Sequence, residues 1–215
     1  ARKPEIQPFY WDRFARLLAQ ENWAPLVVAT LDRVTDDILD LLGDPATPEP
    51  WKRRGLVVGD VQSGKTATYT ALTCKAGDAG YRLVILLTGT LESLRRQTQE
   101  RMDEGFVGLD SSGELTKVPN RREVGVGRLD GRRMGWVFTS RLFDFNKHRV
   151  NQQGARLDGL KVPALLVVKK NKKILENLER WLRDFNADAG GHIHTPVLLI
   201  DDEADNASVN TRKPD

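Results

Sequence analysis

The sequence predicts an α/β protein: a mostly parallel sheet with helices on both faces, preceded by an N-terminal helical segment over residues 1–50. Three observations predict it. The runs Leu83-Val84-Ile85-Leu86-Leu87, Ala164-Leu165-Leu166-Val167-Val168 and Pro196-Val197-Leu198-Leu199-Ile200 are continuously apolar, as strands covered on both faces are. Helical patterns alternate with them, which specifies crossover connections and hence parallel strands. A fourth apolar run, Leu56-Val57-Val58, leads through a glycine-bounded turn into residues 65–76, which contain neither Gly nor Pro.

Taken in order, Tyr10, Phe14, Leu17 and Leu18 fall on one face of a first helix. Val27, Leu31, Val34, Ile38, Leu41 and Leu42 give a second, which Gly43 and Pro45 stop in the expected order. Residues 45–50 read as a linker. Trp51 either stacks on a purine or packs against the lobe, and packing is the commoner use. In the helix over 65–76, Ala67, Ala71 and Cys74 share a face. The helix over 91–101 carries Glu92 and Arg96 as an i, i+4 pair. Residues 105–160 are the least regular, with arginines at 121, 122, 132 and 133 and one clear strand, Trp136-Val137-Phe138-Thr139. This region reads either as a solvated insertion or as a basic surface facing an anionic partner. Ile174, Leu175, Leu178, Trp181, Leu182 and Phe185 form a core-facing helical stripe. His192 and His194 have no ligand-spaced partners in the sequence and read as structural or solvent-facing.

Composition narrows the class. The apolar share of 40% and the charged share of 29% are those of a globular domain, and 215 residues suffice for one good core. No apolar run approaches a membrane span, so no membrane partner is expected. A single cysteine, Cys74, excludes a disulfide framework, and a reducing cytoplasm is the expected home. The net charge of +3 is compatible with a nucleic-acid partner without arguing for one. The chain opens without Met and stops soon after an acidic motif, which suggests an ordered portion of something longer.

The chemistry centres on Gly59-Asp60-Val61-Gln62-Ser63-Gly64-Lys65-Thr66, which fits G-x-x-x-x-G-K-[ST], the phosphate-binding loop. At average residue frequencies the octet arises by chance in about one chain of this size in a hundred. Glycine at 59 and 64 lets backbone N–H groups close on an anion, and the following helix presents its positive end to the same phosphates. Lys65 would reach the β- and γ-phosphates of ATP, and Thr66 would place its hydroxyl on Mg²⁺. The last strand runs into Asp201-Asp202-Glu203-Ala204-Asp205. Carboxylates there can hold Mg²⁺ and orient a water on the γ-phosphate, so Asp202 is the expected metal residue and Glu203 the water-activating one, with Asp201 competing for the metal. Ligands of parallel α/β sheets sit at the carboxyl ends of the strands. The phosphate loop, Thr88-Gly89-Thr90, Lys169-Lys170-Asn171 and the acidic motif are therefore expected on one rim.

The string Asp202-Glu203-Ala204-Asp205 resembles the D-E-A-D motif of superfamily 2 helicases and translocases. Thr88-Gly89-Thr90 and Lys169-Lys170-Asn171 stand where that superfamily has two elements that contact the nucleic-acid backbone. The resemblance implies nucleic-acid contact by Thr90, Lys169, Lys170 and Asn171. A closer resemblance is to the Z-one (Z1) domain family, carried by GLVVGDVQSGKT, GTLESLRRQTQERMDEGFVG, VVKKNKKILENLERWL and LLIDDEADNASVNT, from about Arg54 to Thr211. It implies a RecA-like P-loop NTPase lobe over 51–215, with a basic irregular insertion at about 105–160, in large bacterial proteins that act with partners against phage or foreign DNA. That family is described as endonucleases. No cluster of carboxylates with a lysine outside the ATPase motif stands here as a cutting site. A Ser-Ala-Thr element and a second lobe, the superfamily's source of an arginine finger, are absent from these residues, so weak binding and slow hydrolysis are expected.

Three functions fit this reading. The first is an ATP-hydrolysing DNA translocase or helicase-like motor, the second an ATP-dependent switch that regulates a partner effector without moving on DNA, and the third a module that uses ATP structurally.

Overall fold

Continuous apolar runs become the strands of one sheet. In the computed structural model, which describes residues 3–47, 49–58, 64–112, 122–152, 156–202 and 204, β1 is Leu83–Thr88, β2 Trp136–Val137, β3 Ala164–Lys169 and β4 Val197–Asp201. Their order is β2-β3-β1-β4 and every neighbouring pair is parallel. The register aligns the carboxyl ends: Thr88 lies beside Lys169, and Leu87 beside Asp201.

Alternation along the strands feeds two cores. Val84, Leu86, Leu165 and Val167 face helices α1 (Phe9–Gln20), α2 (Pro25–Leu41) and α3 (Lys65–Ala79). Leu83, Ile85, Leu166 and Val168 face Leu178 and Trp181 of α7 (Lys172–Asn186), with Phe138 and Phe145 alongside. Side chains two apart on a strand share a face, so a run apolar at every position is what two covered faces require. Trp181 is fully enclosed, edge-on to Phe138 at 5.2 Å; its loss to Ala would cost about 3–5 kcal/mol.

The first two helices belong to this core. Asp78 near the end of α3 accepts the backbone N–H groups of Tyr10 and Trp11, both at 2.9 Å, and so holds the start of α1. Lys75, also on α3, is buried and pairs with Asp32 and Asp36 of α2 at 2.5 and 2.6 Å. Trp51 packs edge-on to Tyr81 at 5.7 Å, and Cys74 is enclosed with its thiol pushed well up by burial.

Helix α4 (Glu92–Met102) runs into a π-helical turn, Asp103–Val107. Two short helices follow, α5 (Val126–Leu129) and α6 (Lys147–Gln152). Asp103 is buried under a polar relay. Its carboxylate accepts from Gln99 Nε2 at 3.0 Å and from the Ser111 amide and hydroxyl at 3.0 and 2.6 Å. Gln99 in turn accepts from the Thr139 hydroxyl at 2.7 Å.

Three local expectations change. Leu56-Val57-Val58 forms no strand and is 80, 61 and 85% exposed. Extended structure needs a neighbour to share the ladder, and among the described residues none of the strands pairs with this run. The strand at Trp136 stops after two residues in the ladder because the Val167 amide donates to the Thr139 hydroxyl, at 2.8 Å, instead of to a backbone carbonyl. The described parts of 105–160 are not a solvated appendage: Phe106, Val107 and Val126 enter one core, and Phe138, Phe145, Val150 and Leu157 the other.

Candidate phosphate and metal site

Parallel strands bring their polar termini to one rim. The Lys170 amide donates to the Gly89 carbonyl at 3.3 Å and the Asp202 amide to the Leu87 carbonyl at 2.9 Å, so the turns after β3 and β4 both lie against the end of β1.

Helix α3 starts at this rim. Gly64 adopts φ 76° and ψ 24°, a left-handed conformation that a Cβ would strain. Among the described residues an added Cβ would meet nothing within 4 Å, and the left-handed backbone itself calls for glycine here. Lys65 is exposed at the first helical position, where backbone N–H groups have no partner within the helix. A cavity of about 590 Å³ opens beside it, and Gly64, Lys65, Asp201 and Asp202 line this cavity together with apolar residues of α2. Two segments far apart in the chain thus meet. Gly59, Asp60, Val61, Gln62, Ser63 and Glu203 lie outside the described residues.

The two aspartates differ in their surroundings. The Lys170 side chain, only 4% exposed, reaches across the end of β1 and pairs with Asp201 Oδ1 at 2.6 Å. Asp202 stands near enough to Tyr69 to influence its phenol. That phenol is pushed up mainly by burial and further by the Asp202 charge, against hydrogen bonds with Thr66 and Thr98 and the charge of Arg101. Thr66, Tyr69, Arg101 and Asp202 therefore form one electrostatic neighbourhood. Mg²⁺ takes oxygen ligands and keeps several waters, so the Thr66 hydroxyl and the Asp202 carboxylate fit it by donor chemistry, while Asp201 is engaged by an ammonium.

The residues expected to contact nucleic acid have other partners. Lys169 pairs with Glu92 at 2.8 Å. Lys170 holds Asp201. Asn171 caps α7, its side-chain oxygen accepting the amides of Lys173 and Ile174 at 3.1 and 3.3 Å. Thr90 is exposed at the rim.

Glu92 is more than the surface partner of Arg96. It also binds the buried Arg95, at 2.8 Å. Burial alone would raise its carboxyl, but hydrogen bonds from Arg95 and Lys169 outweigh that and hold it down at about 2. Arg101 also reaches Thr66, a contact that spacing does not reveal. Its Nη1 donates to Thr66 Oγ1 at 3.0 Å. A basic residue in the last turn of a helix looks like a partner of the helix dipole, and nothing in the sequence aims it at residue 66. His192 and His194 are exposed and share Asp188, at 3.6 and 2.7 Å.

Comparison of the chain with protein-family models, with curated proteins and with solved structures returns no match. Among the described residues no helix is long and apolar enough to cross a membrane.

Proposed function

We propose that this chain is a RecA-like P-loop lobe that binds and hydrolyses ATP with Mg²⁺, as part of a superfamily 2 helicase-like DNA translocase in a bacterial anti-phage or restriction-like defence system. The observation that carries the ATP site is the shared cavity: Lys65 and Asp202 line it together, at the carboxyl end of a parallel sheet. The role of the whole system rests on the resemblance of the motif strings to the Z1 family.

In this reading the start of α3 and the Lys65 ammonium bind the phosphates, because unpaired N–H groups, helix dipole and point charge act on the same anion. Thr66 and Asp202 would hold the metal, which when bound neutralises charge on the phosphate oxygens. Lys170 pairs with Asp201, and both Asp201 and Asp202 line the cavity. Glu203 would orient the attacking water and accept its proton.

A second reading has a specific observation in its favour. Lys169, Lys170 and Asn171 are all engaged within the lobe, although Asn171, like Thr90, is exposed. That favours an ATP-dependent switch acting on a partner effector without travel on DNA. ATPase rates with duplex DNA, with single-stranded DNA and without either separate the two. Stimulation by DNA supports the translocase, and a rate indifferent to both supports the switch. No hydrolysis, with Glu203→Gln equal to wild type, contradicts both.

A further inference from the structure

We infer that Arg101 is a phosphate-binding residue of the same site, supplied by α4 to the terminal phosphate of the nucleotide. This deepens the ATP reading and rests on it. Three arginines of this lobe make the contrast. Arg95 is fully buried and donates to Glu92 and to the carbonyls of Ser140 and Arg141. Arg13 is buried and donates to the carbonyls of Asp130 and Phe106. Both hold backbone in place. Arg101 is exposed, and among the described residues its hydrogen bond goes to one hydroxyl, that of Thr66.

A guanidinium has five N–H donors in a planar fork, and a single hydroxyl occupies one of them. Among the described residues no acceptor takes the rest, and phosphate is the acceptor this geometry matches two bonds at a time. The position selects which phosphate. Thr66 is the second residue of α3, next to Lys65, and its hydroxyl is the group that would hold a metal serving the terminal phosphates. A cation bonded to that hydroxyl stands at the terminal end of the chain of phosphates. The shared influence of Arg101 and Asp202 on Tyr69 places the acidic strand end in the same neighbourhood. The Thr66 hydroxyl keeps the fork at the mouth of the site until an anion takes it over.

The test is equilibrium binding of ATP and of ADP, each with Mg²⁺, to wild type, Arg101→Ala, Arg101→Lys and Lys65→Ala. Loss of a charge-assisted pair at the terminal phosphate should weaken ATP about tenfold and ADP less than about twofold in Arg101→Ala. Arg101→Lys should keep part of the preference for ATP, and stands in if the alanine variant unfolds. Equal loss for both nucleotides, or no loss for either, overturns the inference while Lys65→Ala still marks the site. If wild type and Lys65→Ala both bind neither nucleotide, the ATP reading itself has failed and this inference falls with it.

Discussion

The turn after β3 and the start of α3 lie at the same rim, and both carry lysine. Their side chains are held in opposite ways. Lys169 and Lys170 end on carboxylates, Glu92 and Asp201, at 2.8 and 2.6 Å, and Asn171 caps a helix. Lys65 is exposed on a cavity wall, one residue from a hydroxyl that holds a guanidinium. The first region uses its polar groups to fix the ends of three strands relative to one another. The second presents positive charge to open volume. The difference teaches that a basic residue at the rim of an α/β sheet indicates a ligand only when its own lobe has not already claimed it.

The largest effect that tests this contrast is on stability. Lys170→Ala leaves Asp201 without its ammonium in a partly buried place, and should cost about 3 kcal/mol, the low end for a broken buried pair. Lys65→Ala should stay within about 0.5 kcal/mol of wild type, as exposed positions do. Urea unfolding of the two variants checks both numbers, and equal destabilisation would erase the distinction between the regions.

Acid–base behaviour gives the next effect. Burial pushes the Asp103 carboxyl up from 3.8 to about 6, although Ser111 and Gln99 hydrogen-bond to it. The folded state therefore keeps its proton where the unfolded state has lost it. Stability from this group is full below about pH 4 and falls as pH rises toward 6 and beyond. The total is about 2–3 kcal/mol. Asp103→Asn should flatten that fall in a series of unfolding curves between pH 4 and 7; an unchanged slope would show that the relay does not carry it.

Glu92 behaves in the opposite sense and more weakly. Its carboxyl is held at about 2 against an ordinary 4.5, so its contribution is present above pH 4.5 and is lost as pH falls toward 2. About a third of the side chain is exposed, and solvent screening reduces the contribution to about 1 kcal/mol. Lys169→Ala should shrink this acid-side loss, measured by melting temperature between pH 5 and 2.5. An unaltered acid limb would mean that Lys169 is not held by Glu92 and is available to a ligand.

Much of the frame was legible from the sequence. β1 and β3 appear where apolar runs are continuous because both of their faces are covered; β4 appears at its apolar run as well, although it is an edge strand with Leu199 56% exposed, and α7 appears where Leu178 and Trp181 recur at helical spacing. The site was legible in part. Gly64, Lys65 and Asp202 meet at one cavity as the motif spacing and the strand-end rule require. The partners were not legible. Asn171 suits a helix cap and a nucleic-acid contact equally by residue type, and only backbone geometry at α7 distinguishes them. Lys170 finds Asp201 across β1, a neighbourhood that exists only once the strand order is known. Leu56-Val57-Val58 has the composition of a strand, but a ladder is made by two segments, and composition reports on one.

The most direct test of the central claim is the binding of ATP with Mg²⁺ to wild type and to Lys65→Ala, measured by titration calorimetry. The account predicts a single site in wild type, weakened about tenfold or more by loss of the lysine. Equal binding by the two proteins, or none by wild type, would contradict it.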